Sequence, residues 1–428
     1  MLAQARVIRS TGAARDLIAI GLLAFVLRAL WAGVYGRVEA APHDALFYEF
    51  TASNLATGHG FSQLFGGATA HWPPGFPFLV SLLYRAFGLH PNLGLGLNVV
   101  LGTATALLMY VVGRRLMGRP GGLAAGCFFA ILPAPIFFTG QFLTETTYLF
   151  MLVGFVALAT FLPDRRWTPV ALGVVAGLTA LTKGEGALLV VIPLAMWWGQ
   201  VNRRAWLTRA AVLFAATALT ILPWTIRNAV QMDAFIPVAT NASTTLWSGH
   251  NSEANGAAVY APPELLARIP KGLTPAQQEI QGAKLERREA IKWATHNPLK
   301  ELGLIPRKLI ALGDASSRVF PIWFNSTGDR QLGSSSLVVF GVLGDAGDYF
   351  LILLALASLV LIGGRRLWRF DPIMRGVLAY LAASLVTYGF VYYGQFRYRL
   401  AMEPLMILLA VPLMVTAWRD RGALRGPS

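Results

Sequence analysis

Residues 92–139 read NLGLGLNVVLGTATALLMYVVG, then RRLMGRP, then GGLAAGCFFAILPAPIFFT. Two apolar runs, 92–113 and 121–139, thus flank a short segment that carries three arginines. Each run is close to the ~20 apolar residues that a helix needs to cross a bilayer. This stretch therefore predicts two membrane-spanning helices joined by a short basic turn.

Eight further apolar runs are long enough to cross a bilayer or nearly so. They are 17–35, 145–162, 168–182, 187–200, 207–226, 348–362, 373–392 and 401–418. The composition agrees, because 55% of the residues are hydrophobic and 13% are charged, whereas soluble chains carry about 25% charged residues. With a mean hydropathy of +0.54, the chain is predicted to be an all-α polytopic membrane protein. We expect one membrane domain over 1–428 with about ten spans.

The arginines indicate how the spans are oriented. If the N-terminus is cytoplasmic and every run crosses, the cytoplasmic segments are 1–16, 114–120, 163–167, 201–209, 363–375 and 419–428. They hold eighteen of the 36 Lys and Arg residues and four acidic residues, an asymmetry typical of the cytoplasmic side. We expect both termini inside, in a bacterial inner membrane, and 36–91 and 228–347 outside. The net charge of +15 is attributed to this sidedness rather than to nucleic acid.

The two outer segments contain their own helix signals. Residues 44–58 have a short helix pattern that is expected to lie along the membrane surface. The prolines of WPPGFP at 72–77 forbid a continuing helix, and the run 78–87 is too short to span. In the second segment, TPAQ at 274–277 supplies an N-cap, a first-turn proline and a capping-box glutamine. A helix through about Thr295 is predicted after it.

Two acidic residues lie where the outer segments meet the spans. Asp44 follows the first span, with Tyr48 one helical turn later. It is either a general base or the N-cap of the short helix. Glu145 opens the fourth span and is either a second acid of the same cavity or a complement to the helix dipole, with Thr144 as the cap.

Several cations also lie at predicted span ends. Lys183 is either a phosphate ligand or a last-turn lysine before Gly184. Arg397 and Arg399 precede the last span on the outer side, where they either hold an anion such as a lipid phosphate or belong to an interfacial belt. Arg28 interrupts the first run, which argues for a retained span rather than a cleaved signal peptide. A structural ion pair is expected for it.

The remaining candidates carry weaker signals. His71 and His250 both fall outside, but their spacing does not indicate zinc, and ordinary hydrogen bonding is the simpler interpretation. The single cysteine, Cys127, excludes an internal disulfide and a Cys-based zinc cluster. Its apolar neighbours predict a buried, inert thiol.

Taken together, these features resemble the GT-C glycosyltransferases of the protein O-mannosyltransferase type, including the bacterial enzymes that attach aminoarabinose to lipid A. The resemblance covers nearly the whole chain in order. Its motifs are Arg28 in the first span, HDALFY at 43–48, WPPGFP at 72–77, GRRL at 113–116, TE at 144–145, LTKG at 181–184, PWTIRN at 223–228, LWSGHN at 246–251, RYRL at 397–400 and EP at 403–404.

This resemblance implies roles for residues at the matching positions. Asp44 would be the catalytic carboxylate and Glu145 a second acid. Lys183, Arg397 and Arg399 would hold the carrier phosphate. Other cavity candidates are Tyr48, His71, Arg227, His250 and Asn251.

The resemblance also implies the reaction. A sugar would pass, with inversion, from a polyprenyl phosphate in the membrane to an extracytoplasmic protein, lipid or glycan, without a nucleotide sugar or a required cofactor. A divalent metal ion is compatible with such a site but is not predicted. One departure is Trp72, because many relatives have Arg or Lys there. A usual phosphate contact is therefore missing or is supplied by His71 or another residue.

Three other functions fit parts of the pattern. A ligase or polymerase of lipid-linked glycans would need a larger acceptor cleft, which the sequence does not measure. A secondary transporter is disfavoured, since such folds tend to have inverted repeats and none stands out here. A non-enzymatic lipid-binding protein would form no glycan product that depends on Asp44.

Overall fold

The computed structural model describes residues 11–36, 43–63, 66–162, 164–315 and 334–424. Within these ranges the chain is built from helices and one isolated bridge between Ser62 and Ala68. The helices of the first half are α1 (Thr11–Tyr35), α2 (His43–Ala56), α3 (Gly75–Phe87), α4 (Asn92–Ile131), α5 (Pro133–Thr139), α6 (Glu145–Phe161), α7 (Thr168–Thr182), a 3₁₀ helix (Gly184–Val190), α8 (Val191–Trp197) and α9 (Arg203–Met232). Those of the second half are α10 (Asn241–Gly249), α11 (Pro263–Leu266), α12 (Pro275–His296), α13 (Pro298–Leu312), α14 (Ser334–Ser358), a π-helix (Leu359–Gly363), α15 (Gly364–Phe370), α16 (Pro372–Val386), a second π-helix (Thr387–Val391), α17 (Phe396–Leu400) and α18 (Glu403–Leu424).

The predicted all-α membrane fold is confirmed. Five helical segments are long and apolar enough to cross a membrane, namely Gly12–Tyr35, Asn92–Ile131, Arg203–Met232, Val338–Phe370 and Pro372–Val391. Shorter apolar helices are Gly75–Phe87, Glu145–Phe161, Thr168–Thr182, Gly184–Trp197 and Glu403–Trp418. The number of helices that actually cross, and the side on which each terminus lies, stay predictions.

Helix α4 contains the run 92–113 and the first part, 121–131, of the run 121–139. Its backbone leaves the helical region at Met117 and at Gly118, whose φ is 68°. The two arms then pack against each other, because a Cβ on Gly113 would lie 2.4 Å from the carbonyl oxygen of Gly121. The predicted basic turn is confirmed. The second run is not one helix, however: Leu132 is extended before Pro133, as residues before proline prefer.

Two other predicted boundaries differ from the helix ends in the structure. The run 187–200 begins as the 3₁₀ helix Gly184–Val190 and only then becomes α8. Two glycines in GEG at 184–186 weaken an α-helical start, which hydrophobicity alone does not reveal. In addition, α14 begins at Ser334, so the last part of the predicted outer segment 228–347 already belongs to an apolar helix.

Arg28 is fully buried in α1, but the expected ion pair is not what holds it. Its guanidinium donates to the carbonyl oxygens of Ala130 at 3.0 Å and Phe129 at 3.2 Å, and it lies 5.4 Å from the ring centre of Phe129. These carbonyls belong to the last turn of α4, where helical acceptors lack helical donors. The arginine therefore satisfies a helix end inside the bundle. Cys127, one turn earlier, is a free, partly buried thiol.

The two segments that the sequence predicts to lie outside, 36–91 and 228–347, are joined by hydrogen bonds. The predicted capping box of α12 is confirmed, since Thr274 and Gln277 exchange both hydrogen bonds. Farther along α12, the carboxylate of Glu279 accepts from the Thr69 hydroxyl at 2.6 Å, from the Ala70 amide at 3.1 Å and from the Thr240 hydroxyl at 2.9 Å. These bonds fix the loop between α2 and α3 and so help to position α2.

Candidate active site

Four charged side chains from four separate elements meet at one place. They are Asp44 on α2, Glu145 at the first residue of α6, Lys183 directly after α7, and Arg397 on α17. The three contacts that join them measure 2.8, 2.7 and 3.3 Å. The structure thus brings together both predicted catalytic acids and two of the three predicted phosphate ligands.

Arg397 connects the two carboxylates. Its Nη1 donates to Oδ2 of Asp44 at 2.8 Å, and its Nε donates to Oε1 of Glu145 at 2.7 Å. A planar guanidinium suits this task because its donors point outward in a rigid fork. Burial acts to lower the pKa of Arg397, but Glu145 and Asp44 outweigh it and hold that pKa well above its ordinary value. Arg397 is therefore a permanent cation between two acids.

Lys183 completes the cluster through the same oxygen of Glu145 that Arg397 contacts. Its ammonium lies 3.3 Å from Oε1 of Glu145 and 3.5 Å from Oε2 of Glu185. It also lies 5.7 Å from the ring centres of Tyr148 and of Tyr398, within the range of a cation–π contact. Lys183 is thus held by acids and aromatic faces, and it is not simply a solvated helix-end lysine.

Tyrosines form the wall of the site. Tyr398 stacks on Tyr388 at 4.7 Å between ring centres, and its hydroxyl lies 3.2 Å from that of Tyr393. Tyr48 is buried on α2, next to Trp72 at 5.8 Å. Burial, followed by the charge of Asp44, raises the pKa of Tyr48 well above its ordinary value. This phenol stays neutral and is able to donate a hydrogen bond.

The site contains more negative than positive charge. Within the described residues its charged groups are three carboxylates, Asp44, Glu145 and Glu185, and two cations, Lys183 and Arg397. Glu145 is only 1% exposed, and no hydrogen-bond donor reaches its Oε2 from the part of the chain that the structure describes. A buried acceptor without a donor is unfavourable. A hydroxyl of a bound ligand would satisfy Oε2 by donating a hydrogen bond to it.

The alternative interpretations, in which Asp44 and Glu145 only stabilise the starts of their helices, agree with the structure only in part. Thr144 precedes α6, but its side chain makes no capping hydrogen bond. Glu145 does lie in the first turn of α6, where a negative charge complements the helix dipole. Asp44 lies in the first turn of α2, while one of its carboxylate oxygens is bonded to Arg397. Both acids therefore face the cluster whatever they contribute to their helices.

Arg399 lies apart from this cluster. Its guanidinium pairs with Asp348 of α14 and lies 3.5 Å from Glu403 of α18. It also donates to the carbonyl oxygen of Asp314 at 3.0 Å. The side chains of Arg399, Asp348 and Glu403 are all buried. This arginine joins helices inside the protein, and we do not assign it to the phosphate site.

Two other cavity candidates belong to a separate buried group. Nδ1 of His250 lies 2.7 Å from Glu301, and Nε2 lies 2.9 Å from the Val391 carbonyl oxygen and 3.5 Å from Nζ of Lys308. Asn251 donates to the Trp247 carbonyl oxygen at 2.8 Å and so ends α10. These residues attach α10 and α13 to the π-helix that precedes α17.

His71 and Arg227 hold the first outer segment. Arg227 donates to the carbonyl oxygens of Thr69 and Phe61, both at 2.6 Å. His71 packs against Trp72 at 4.8 Å, and burial lowers its pKa against the opposing charge of Glu279. His71 and His250 share no contact. Within the described ranges, no three His, Cys, Asp or Glu side chains are grouped as metal ligands.

Known families and structures place this geometry in context. The family described as dolichyl-phosphate-mannose-protein mannosyltransferase matches residues 71–226. The crystal structure of the Archaeoglobus fulgidus oligosaccharyltransferase in complex with Zn and sulfate matches with a TM-score of 0.55 at 17% identity, over 96% of this chain and 50% of that chain. The archaeal oligosaccharyltransferase AglB from Archaeoglobus fulgidus, in complex with an inhibitory peptide and a dolichol-phosphate, matches with a TM-score of 0.55 at 16% identity, over 98% of this chain and 53% of that chain. The chain spans about half the length of these structures.

This chain has a GT-C fold. A weaker likeness, with a TM-score of 0.43 at 14% identity over 95% of this chain and 78% of that chain, is to ArnT from Cupriavidus metallidurans bound to undecaprenyl phosphate. No curated protein matches the chain in sequence. The family model over residues 71–226 confirms the resemblance to the protein O-mannosyltransferase type for that part of the chain.

Within the GT-C fold, the site contains residues that sequence reasoning missed. Glu185, Tyr148 and Tyr398 all contact Lys183. Each had a local signal. Tyr148 lies one helical turn after Glu145, Tyr398 follows Arg397 directly, and Glu185 comes two residues after Lys183. Neighbours of a candidate residue at helical spacing share its face, and applying this rule to Glu145 would have found Tyr148.

Proposed function

We propose that this GT-C chain is an inverting glycosyltransferase that moves a sugar from a polyprenyl phosphate to an acceptor outside the cytoplasm. The observation that carries the proposal is the convergence of Asp44, Glu145, Lys183 and Arg397 from four elements on one cluster. Two cations beside two acids suit a reaction in which a phosphate departs while an acceptor oxygen loses a proton.

In the proposed reaction, the acceptor hydroxyl oxygen attacks the anomeric carbon of the donor sugar. The new carbon–oxygen bond forms as the bond to the phosphate oxygen breaks, and polyprenyl phosphate leaves with the electron pair. Asp44 accepts the proton of the acceptor. Lys183 and Arg397 offset the charge that grows on the leaving phosphate, the electrostatic contribution that is usually largest in such sites.

The ion pairs of the structure suggest an order of events. Arg397 is engaged by Asp44 and Glu145, and Lys183 by Glu145 and Glu185. A phosphate that binds these cations must displace part of that contact. If Arg397 turns toward the phosphate, Asp44 is released to act on the acceptor. Donor binding would in this way free Asp44 to act as the base. Oε2 of Glu145 would accept a hydrogen bond from a hydroxyl of the bound substrate.

The wider setting belongs to the same proposal. We place the protein in the bacterial inner membrane with the cluster on the extracytoplasmic face, as the arginine distribution predicts. A donor with its lipid tail in the bilayer reaches a site between span ends and a surface helix. AglB in complex with a dolichol-phosphate supports a polyprenyl phosphate ligand for this fold. The acceptor is a protein, a lipid or a glycan, and no metal ion is required.

Transfer assays with purified full-length protein test the function. Polyprenyl phosphate sugars labelled in the sugar are incubated with membrane extracts, and the labelled products are separated by size and class. We expect transfer by the wild type and a loss of about 10²- to 10⁴-fold for Asp44→Asn, the usual contribution of a general base. Product size separates single-sugar transfer from transfer of a whole glycan.

A matched control is Asp371→Asn. Asp371 is also paired with an arginine, Arg115 at 3.1 Å, and caps α16 by accepting from the amide of Ile373. Asparagine caps a helix about as well as aspartate, so this variant should transfer normally. Equal transfer by wild type and Asp44→Asn would remove Asp44 from the mechanism. Absence of transfer with every donor would overturn the function itself.

A further inference from the structure

A second charged concavity lies at the other end of the helices that form the active site. Glu145 begins α6, and Asp164 follows the end of that helix. Lys183 follows α7, and Arg165 precedes it. Since α7 has 15 residues, the two places are about 22 Å apart along its axis. The second concavity is therefore separate from the proposed transfer site.

This basic cleft has a volume of about 470 Å³ and combines two chain segments. The turn between α6 and α7 contributes Asp164, Arg165 and Arg166, and the start of α9 contributes Arg204 and Arg209. Four guanidinium groups thus surround one carboxylate. Packing of α7 against α9 is what unites them, so the cleft is a product of tertiary structure.

The charges of the basic cleft are not balanced. Asp164 is paired with Arg209 at 2.8 Å. Arg165, Arg166 and Arg204 are exposed, and no carboxylate in the described ranges lies within ion-pair distance of them. Three like charges around one cavity repel each other unless an anion lies between them. Guanidinium groups bind phosphate oxygens in a bidentate manner, so a phosphate is the anion that best fits.

Tryptophans place the basic cleft at a membrane surface. Arg209 lies 5.6 Å from the ring centre of Trp197, and Trp198 packs edge-on against Trp206 at 5.6 Å. Trp198 is also 60% exposed. Exposed tryptophans are enriched where headgroups meet the hydrocarbon core. At the depth of the headgroups, a lipid of the bilayer reaches the cleft more readily than a ligand from free solution.

Apolar faces extend from the basic cleft along both helices. Val170, Val174 and Leu178 recur every four residues on α7 and are exposed, so they form one face. Leu207 and Phe214 are exposed on α9. Acyl chains have room along these faces when the attached phosphate lies among the arginines.

From this arrangement we infer that the basic cleft binds the phosphate headgroup of an anionic membrane lipid, on the face opposite the transfer site. Basic pockets between membrane helices suit lipids that carry one or more phosphates. The inference does not depend on the transfer reaction.

The simplest alternative is that these arginines only set the topology. The chain offers a matched control, because Arg365, Arg366 and Arg369 line another concavity, of about 590 Å³, formed by the single continuous segment 360–369. It has the same number of unassigned arginines but is not assembled from chain segments that are distant in sequence. General attraction to an anionic surface would depend equally on both groups.

Lipid binding to the purified full-length protein in nanodiscs tests the inference. Cardiolipin or phosphatidylglycerol is titrated into phosphatidylcholine, and protein-bound lipid is measured by native mass spectrometry. We expect Arg165→Gln, Arg166→Gln and Arg204→Gln together to lower apparent affinity by about tenfold or more. The triple variant Arg365→Gln, Arg366→Gln and Arg369→Gln should stay within about twofold of wild type. Equal losses in both triples, or none in either, would overturn the inference.

A second arm separates lipid-bound phosphate from free phosphate. In detergent without lipid, inorganic phosphate and pyrophosphate should protect the wild type from heat far less than cardiolipin does. Equal protection would mean that the basic cleft binds a soluble anion and would overturn the lipid assignment. If the glutamine triple does not fold, the matched lysine triple keeps the charge and the topology signal. It should still bind severalfold more weakly, because lysine lacks the bidentate fork; unchanged binding would contradict the inference.

Discussion

Arg397 and Arg399 lie two residues apart on α17, yet they belong to different parts of the molecule. Arg397 joins Asp44 and Glu145 in a cluster in which the side chains of Arg397 and Asp44 are partly exposed. Arg399 joins Asp348 and Glu403, whose side chains are at most 1% exposed. Residues two apart on a helix differ in direction by about 200°. One guanidinium is therefore available to a ligand, while the other is part of the interior.

Charge near a span end therefore does not by itself identify a ligand site. Both arginines are predicted on the outer side, against the positive-inside tendency, and both have acidic partners. Exposure separates them, because the side chains of Arg397 and Asp44 are 14% and 18% exposed, whereas the Arg399 cluster is enclosed by α14 and α18. Substitutions at the two positions should affect different properties, namely catalysis at Arg397 and folding at Arg399.

The largest effect is expected for Arg399→Gln. It removes the guanidinium that pairs with Asp348 and lies beside Glu403, and breaking a buried ion pair typically destabilises a protein by about 3–5 kcal/mol. Thermal unfolding in detergent measures the loss. The double variant Arg399→Gln, Asp348→Asn should recover part of the lost stability, since the buried negative charge of Asp348 is also removed. A single variant as stable as wild type would contradict the enclosed ion-pair assignment.

Arg397→Gln should mainly impair turnover. Loss of a preorganised donor to a developing charge lowers kcat by about 10²- to 10³-fold. Stability should change less than in Arg399→Gln, because Lys183 still pairs with Glu145. Transfer kinetics and thermal unfolding of the same preparation check both halves. An Arg397→Gln variant that unfolds readily but turns over normally when folded would contradict the assignment of Arg397 to catalysis.

Asp44→Asn should bind the carrier more tightly while it transfers poorly. In the structure Asp44 competes for Nη1 of Arg397. Removal of its charge frees that donor for phosphate, and we expect an increase in affinity of about five- to tenfold. Binding of polyprenyl phosphate is measured by microscale thermophoresis, with Asp371→Asn as the control. Weaker binding by Asp44→Asn would show that Asp44 supports the phosphate site rather than competing for it.

The smallest effect concerns pH and the neighbourhood of Asp44. Burial holds the pKa of His71 below its ordinary value, so the fold favours the neutral ring. The contribution of the neutral His71 ring to stability is complete above about pH 6.5. It is lost as the pH falls below that value, because the unfolded chain then binds the proton more readily than the folded chain. His71→Gln should reduce the acid-side loss of stability. The exposed His59 provides a control substitution of the same kind, His59→Gln.

Local signals were enough for much of the fold. The run 168–182 coincides with α7, and TPAQ at 274–277 folds as the predicted capping box. Such features depend on residues within one or two turns. The break at Leu132, the 3₁₀ start at Gly184 and the partners of Arg28 were not foreseen. Each depends on how one helix end meets another, which hydropathy does not record.

Composition and residue order are enough to identify a helical membrane protein, because the transfer of each residue into a bilayer adds along the chain. They also predict, through the arginines, that the basic segments lie on one side. Which charges meet depends instead on the tertiary structure. Arg397 is separated from Glu145 by 252 positions and from Asp44 by 353, and Arg399 turns away from both. Over such separations, partners are chosen by the packing of helices, whose energies depend on shape and burial rather than on any short pattern.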